Sequence, residues 1–348
     1  MNDSPTRPPT LGSRLASPRT LVSLLAAVAL IGFFLSRQDP AELDAAWSQL
    51  RQASPLLYGA ALLAYYLNFP VRALRWRLLL ENAGTPAAEI PRNRDLAEII
   101  YLSWFVNALV PAKLGDLYRG WLLRREGGSS WTHAMGTIVA ERILDLIVLV
   151  GLMVTTGLLT YGDVLAAGVT GGPYACLASP PDLSNLGCSL LQLFAVGGVG
   201  ALAMIVGLIL VARHGSRLEP LMPGRLAAVY NRFSGALVLS FDRFGRLLGL
   251  SLLAWSFEGL AFWLVGLALG QSLPLPLVVF FALLQAFITV IPLTPGGLGF
   301  EPVLATALEI KGFAGSAALA MTGLYRSISY LSLIAGGALV YLLSKKTK

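Results

Sequence analysis

Charge is scarce in this chain of 348 residues: Asp, Glu, Lys and Arg make up only 13% of it. A soluble enzyme of this length needs a far more polar surface, so that class is excluded. Cysteine and histidine are scarcer still, at two each. They cannot assemble a zinc cluster, a haem-attachment site or a thioredoxin motif, and neither a metal nor another cofactor is expected. The alternating period-2 runs that an outer-membrane barrel requires are missing too. No nucleotide-binding motif is present, which argues against coupling to hydrolysis. What the chain has is apolar sequence: 55% of it is hydrophobic and the mean hydropathy is +0.68. Its uncharged stretches suit a helix rising about 1.5 Å per residue through a hydrocarbon core about 30 Å thick. An all-α polytopic membrane protein is the fold class expected. The net charge of +7 is then a matter of which side of the bilayer carries it, and nucleic acid is not expected as a partner.

Six runs are long enough to span: the one between Arg19 and Arg37, that between Arg51 and Arg72, about Thr137 to Tyr161, Cys188 to Ala212, Leu247 to Gly270, and Ala314 to Ser344. Two others, Leu96 to Val110 and Leu277 to Ile291, are too short to span comfortably and run into PAKLGD and PLTPGGLGFEP. They read as re-entrant hairpins, since non-helical backbone at membrane depth is tolerated where it is buried in protein or lines a wet cavity. Kinked spanning pairs are the other reading. Six crossings and two hairpins put Lys and Arg almost wholly on one side, so both termini are expected in the cytoplasm and the chain in the cell (inner) membrane. On that side lie a Pro-rich tail over 1–19, read as disordered, an amphipathic segment over 213–246 on the membrane surface, and the basic tail 345–348. The N-terminal run is not read as a signal peptide, because no small-x-small cleavage site follows it. His133 and His214 fall in loops and are taken as solvated. The outer loop 162–187 has no basic residue and contains Cys176, with Cys188 at the mouth of the next span. A disulfide in an oxidising compartment and two unrelated thiols both fit.

The hairpins share a skeleton. Leu109-x-Pro111-x-x-Leu114-Gly115 matches Leu293-x-Pro295-x-x-Leu298-Gly299, with an acid next, Asp116 or Glu301; Gly296 and Gly297 fall inside the second turn. The same offset pairs Gly128 with Gly312 and Arg142 with Arg326. Residues 20–161 and 188–344 thus form two halves, each span, span, hairpin, span. Three crossings separate the hairpins, so the halves are inverted, a recurrent transporter plan.

An ionised side chain in hydrocarbon costs about 2.5–3.5 kcal/mol even on lenient scales, so each needs a partner or a task. Glu141, Arg142 and Asp145 share one arc of the third span. Glu258 lies mid-helix, Glu301 follows the second hairpin, and Arg326 lies in the last span beside Tyr325, Ser327, Ser329 and Tyr330. Helical rise puts Arg142 toward the cytoplasmic leaflet and Arg326 toward the outer one. A planar guanidinium suits phosphate, so the two arginines are candidate headgroup sites, with Lys113, Arg119 and Asn107 at the first hairpin. Glu141, Asp145, Asp116, Glu258 and Glu301 are the candidate cavity carboxylates. Alternatively Arg142 only neutralises Glu141 and Asp145. The cluster Arg72, Arg75, Arg77 with Trp76 reads as anchoring at a helix end, with attraction of anionic headgroups the other reading.

In this order RALRWRLLL, NALVPAKLGDLYRGWLLRREG, AERILDL, PLTPGGLGFEP and LYRSISYL resemble the motifs of the lysylphosphatidylglycerol synthase transmembrane domain family, also called flippase-like membrane proteins. The resemblance covers nearly the whole chain after the N-terminal tail and implies lipid handling. The chain stops at SKKTK, so the soluble synthase half is expected to be missing and aminoacyl transfer is not inherited. A lipid translocase is the first reading, with a central polar cavity sheltering a phosphate-bearing headgroup of an anionic phospholipid or a polyprenyl-phosphate-linked lipid. An intramembrane enzyme with a carboxylate base, or a non-transporting partner of a separate lipid-modifying enzyme in glycolipid or envelope synthesis, are its rivals. The topology is checked by cysteine labelling from outside, which should reach a cysteine placed at Ala178 and never one placed at Arg225.

Overall fold

In the structure, a computed structural model, residues 31–110, 113–168, 172–178, 186–218, 222–290, 295–298 and 301–344 are described, with Leu25, Ala29 and Lys346. Among them every regular element is helical. The first apolar run, the tail before it, Pro111 and Gly299 lie largely or wholly outside the described residues.

Helix α1 (Pro40–Gln52) leads into α2 (Pro55–Asn82), which Ser54 caps by accepting from Leu57 N–H. The sequence ends the second span at Arg72, yet α2 runs ten residues further, with Arg72 and Arg75 buried inside it. Carboxylates from two neighbouring helices meet both guanidinium groups, so the helix need not stop where its charges begin. Only Arg77, paired with Glu81 at the half-exposed end, fits the anchoring reading.

The first hairpin is α3 (Asn93–Leu109) and α4 (Leu114–Gly127), packed side by side. At about 1.5 Å per residue neither reaches 30 Å. Lys113 turns the chain with φ 55°, a left-handed conformation uncommon for a residue with a side chain. Helix α5 (Trp131–Gly168) then bends at Tyr161, where φ is −123°. A short α6 (Pro173–Ala178) follows, within the segment expected from the sequence to be an outer loop, and its Cys176 is bonded to Cys188 in α7 (Leu186–Leu218), their Cα atoms 5.2 Å apart. His133 is half-buried rather than solvated, its Nε2 2.9 Å from Thr85 Oγ1.

The second half continues with α8 (Gly224–Leu239) and α9 (Phe244–Ala268). The amphipathic stretch thus ends before Arg246, which is in the first turn of α9. The second hairpin has α10 (Leu275–Val290), a turn at Pro295–Gly297 and α11 (Glu301–Ile310). The last run is α12 (Gly315–Arg326), a π-helical segment Ser327–Ser332 and α13 (Leu333–Leu343). Among the described residues four stretches are long and apolar enough to cross a membrane: Trp131–Ala167, Gly187–His214, Phe244–Ala268 and Gly315–Leu343.

Helices α2 and α9 make the most extensive pairing in the fold and run antiparallel. Ser54 N–H donates to Ala268 O (2.9 Å) at one end, and Arg243 Nε donates to Asn82 Oδ1 (2.7 Å) at the other. The offset between the two hairpin motifs carries most of α2 onto α9. Helix α13 sits closely on α3, where Gly336 faces the Tyr101 hydroxyl and Gly337 faces the Phe105 ring. Small residues allow such approach, the usual basis of helix packing in lipid. Beyond α13, Lys346 Nζ bonds Asp95 (3.0 Å) and Glu98 (2.5 Å) on α3. Burial alone would lower this ammonium, but its bonds to Glu98 and Asp95 hold it above the ordinary lysine value.

Gly115 opens α4, and its N–H donates to Asn107 Oδ1 at 2.8 Å, closing the first hairpin. A Cβ there would run into the Ser103 carbonyl and the Asn107 amide, whereas Gly207 on α7 has open space around it. Gly115→Ala should therefore cost about 1–3 kcal/mol of stability. Thermal unfolding of purified protein should show a lower midpoint for Gly115→Ala and little change for Gly207→Ala.

Candidate functional site

Eight charged side chains from α2, α4, α5 and α9 form one buried chain of ion pairs. Arg75 donates to Asp145 Oδ1 (2.6 Å), Asp145 Oδ2 (3.1 Å), Glu141 Oε1 (3.1 Å) and Ser251 Oγ (2.9 Å). Arg119 grips both Glu141 oxygens at 3.1 and 2.7 Å, and its guanidinium lies 3.7 Å from the centre of the Trp76 ring. Arg72 donates to Glu258 Oε1 (2.9 Å) and to Asn68 Oδ1 (2.8 Å), and stands 3.6 Å from Asp145. Its guanidinium lies between Trp104 and Trp255, 4.9 and 5.0 Å from their ring centres. Arg142 joins through Asp116 (3.2 Å), with Asp145 and Glu141 at 3.7 and 3.8 Å.

A matching pair stands in the other half. Arg326 Nε donates to Glu301 Oε1 at 2.9 Å, and its two terminal nitrogens donate to Gly296 O at 3.1 and 3.2 Å. Each repeat-related arginine therefore holds the acid that follows its own hairpin turn. The turns also meet: Tyr330 OH donates to Ala108 O (3.0 Å) at the end of α3, while its ring lies against Gly296. Gly296 has φ +57° and no space for a side chain on that side.

Between the halves lies a cavity enclosing about 180 Å³. Arg72, Lys113, Arg142 and Arg326 line it, with Asp145, Glu258, Asn107, Gln285 and Ser329; Trp104, Trp255, Tyr65 and Tyr325 supply aromatic wall. Both repeat-related arginines thus face one cavity. Among the described residues Lys113 has no ion-pair partner, and the buried indole Nε1–H of Trp255 has no acceptor. An anionic group is the ligand that suits such a wall.

Several expectations need correction. Arg119, expected among the headgroup residues, is fully buried behind the wall and holds Glu141, because Trp76 and that carboxylate replace its hydration. Glu141, also buried, faces Arg75 and Arg119 rather than the cavity. Asp116 and Glu301 lie behind Arg142 and Arg326 and orient them. The Asn107 carbonyl caps the first hairpin while the residue lines the cavity. Sequence reasoning favoured a helix-end anchor for Arg72 and Arg75, with headgroup attraction as the other reading, and missed Asn68 and the two flanking tryptophans. One signal was available: Glu141, Asp145 and Glu258 outnumber Arg142, so more cations had to be found nearby.

Fold and site define a polytopic helical membrane protein with a charged, aromatic-walled cavity between two halves. Residues 20–337 match the family described as lysylphosphatidylglycerol synthase TM region, and the chain belongs to that family. It is similar to a UPF0104 membrane protein of Methanocaldococcus jannaschii (30% identity over 68% of this chain and 93% of the relative). Another relative, from Methanothermobacter thermautotrophicus, is also called a UPF0104 membrane protein (24% identity, 91% of each chain). The chain is 29% identical to the glycosyltransferase AglD of Haloferax volcanii, over 94% of its own length and 54% of that protein's. No solved structure matches it.

Removing one partner of a buried pair costs about 3–5 kcal/mol, because the other charge is left uncompensated. Arg75→Met should therefore unfold the protein or sharply lower its thermal midpoint. Neutralising Glu141, Arg142 and Asp145 together should not restore stability, since Arg75 and Arg119 would lose their carboxylates. Size-exclusion profiles after a heat step measure both.

Proposed function

We propose that this protein is a lipid translocase whose cavity receives a phosphate-bearing headgroup while the acyl chains stay in the bilayer. The charge balance of the wall together with the ion pairs behind it carries the reading. Arg72, Arg75, Arg119, Arg142 and Arg326 are set against Asp116, Glu141, Asp145, Glu258 and Glu301, which leaves the charge of Lys113 over. One excess cation, in a cavity whose wall also includes the partnerless indole of Trp255, suits a single phosphate anion. Arg142 and Arg326, fixed on opposite halves, divide one large electrostatic barrier into smaller steps. The short helices α3, α4, α10 and α11 form two re-entrant hairpins within six crossings, and both termini are cytoplasmic in the inner membrane. The halves 20–161 and 188–344 act as an inverted pair, fed by anionic phospholipid or polyprenyl-phosphate-linked lipid.

A second reading places the chain beside glycolipid synthesis without transport. The similarity to a glycosyltransferase favours it, and product formation from a labelled polyprenyl donor would support it.

A headgroup-accessibility assay in liposomes separates the two. Wild-type protein should exchange a labelled phospholipid between leaflets. Lys113→Met and Arg326→Gln should each slow exchange at least about tenfold, equivalent to about 1.4 kcal/mol of barrier, with the protein still folded. Arg326→Lys should recover part of the rate, because an ammonium keeps the charge and loses the fork. Full exchange by Arg326→Gln would remove that arginine from the mechanism.

A further inference from the structure

The two halves meet along seams of different chemistry. Where α2 meets α9, the Arg72–Glu258 pair and the longest helix pairing in the fold hold them together. The seam between α2 and the π-helical segment has neutral hydroxyl contacts instead. Tyr58 OH lies 2.9 Å from Ser327 Oγ, and Tyr66 OH lies 3.0 Å from Ser332 Oγ. Tyr65 OH donates to Ser329 O at 3.3 Å. Tyr330 continues the series through its bond to Ala108 O. Tyrosines 58, 65 and 66 recur at helical spacing on one face of α2, opposite serines at 327, 329 and 332.

Three physical properties separate this seam from its neighbours. Neutral hydroxyl bonds exchange readily for bonds to water or to a headgroup, whereas a buried ion pair has no such substitute. A π-helical turn holds an extra residue in the helix and is frequently found at functional sites, since returning to α geometry shifts its side chains. The cavity lies directly behind, because Tyr65, Ser329 and Tyr330 line both the seam and the cavity. The far side is anchored, as Gly336 and Gly337 seat α13 on α3 and Lys346 ties the following residues to the same helix. Motion is therefore easiest in the segment itself.

We infer that the tyrosine–serine seam between α2 and Ser327–Ser332 is the lateral gate through which a lipid headgroup enters the cavity. This rests on the translocase reading above, and it names the path that reading leaves open. Release of the Tyr58, Tyr65 and Tyr66 hydroxyls separates the segment from α2, and release of the Tyr330 hydroxyl frees it from the end of α3. The freed Ser329 and Ala108 carbonyls accept hydrogen bonds from the entering headgroup or its water.

The test uses the full chain in vesicles of phosphatidylglycerol and phosphatidylethanolamine. Tyr66→Cys/Ser332→Cys is bridged by a bifunctional, reducible thiol reagent, and Ser54→Cys/Ala268→Cys, at the anchored end of α2 and α9, is the control pair. Bridging the seam should slow exchange of a labelled phospholipid at least tenfold, and reduction should restore it. Bridging the control pair should leave the rate unchanged, and wild type taken through the same steps accounts for the Cys176–Cys188 bridge. Unchanged exchange with the seam bridged overturns the gate. A second readout needs no transport: Ser329→Cys should react with a membrane-soluble maleimide, and more slowly when the seam is held shut by a non-cysteine cross-link between photoreactive residues at 66 and 332. Equal labelling rates overturn the gate as well. Slowed labelling without any lipid exchange in the unbridged protein keeps the gate and overturns the translocase reading.

Discussion

Two buried carboxylates, Glu141 and Asp145, set the terms for the rest of the molecule. Moving an isolated charge into such surroundings costs several kcal/mol even after relaxation, so each has to be met by cations from more than one helix. Arg75 from α2 and Arg119 from α4 meet Glu141; Arg75 and Arg72 meet Asp145. Helix α9 is drawn in through Glu258, which completes the hydrogen bonding of Arg72. A slide of any one of these helices by a turn would strand at least one buried charge. The first half and α9 are in this way bound into one block by electrostatics, which hydrophobic contact in lipid could not do, because lipid is as apolar as leucine.

The sequence repeat is only partly kept, and the departures are informative. The pairing of Arg142 with Asp116 is repeated by Arg326 with Glu301. At the positions equivalent to Glu141 and Asp145, however, the second half has Tyr325 and Ser329. Charge is thereby replaced by hydroxyl at the same places in the fold. Four or five neutral hydrogen bonds at about 0.5–1.5 kcal/mol each hold that side, against about 3–5 kcal/mol for leaving one buried charge unpaired. One half is suited to being a frame and the other to being the part that yields.

Much of this was legible in the sequence, because the bilayer imposes simple rules. The apolar runs gave the helices, and the repeated LxPxxLG pattern with its trailing acid marked the two broken elements that meet at Tyr330 and Gly296. The arginines 142 and 326 were visible because both interrupt apolar sequence. Arg72 and Arg75 were not, for they sit where an apolar run ends and look like ordinary positive-inside anchors. Their burial depends on carboxylates that are 66 to 186 residues distant in sequence, and no local pattern records such a pairing. The π-helical segment was hidden for a related reason. Its sequence, SISYLS, differs from a plain helix only in the tyrosines and carbonyls that meet it from elsewhere.

The arginines themselves illustrate how burial divides structure from function. Arg75 and Arg119 have their terminal nitrogens committed to carboxylates, with Ser251 also on Arg75, and both are closed to solvent, so a ligand could reach them only by breaking the frame. Arg142 belongs to the same network, yet 31% of its side chain is exposed, and its contacts to Glu141 and Asp145 are long, at 3.8 and 3.7 Å. Those carboxylates are already satisfied by other arginines at shorter range. Arg142 can therefore turn part of its fork toward an anion in the cavity without leaving a buried charge behind. Arg326 has the same freedom by another route, since two of its three nitrogens bond a backbone carbonyl, Gly296 O, that a neutral partner could satisfy equally well. Where a guanidinium can be borrowed at little electrostatic cost, a headgroup can bind and leave again, which a carrier site has to allow.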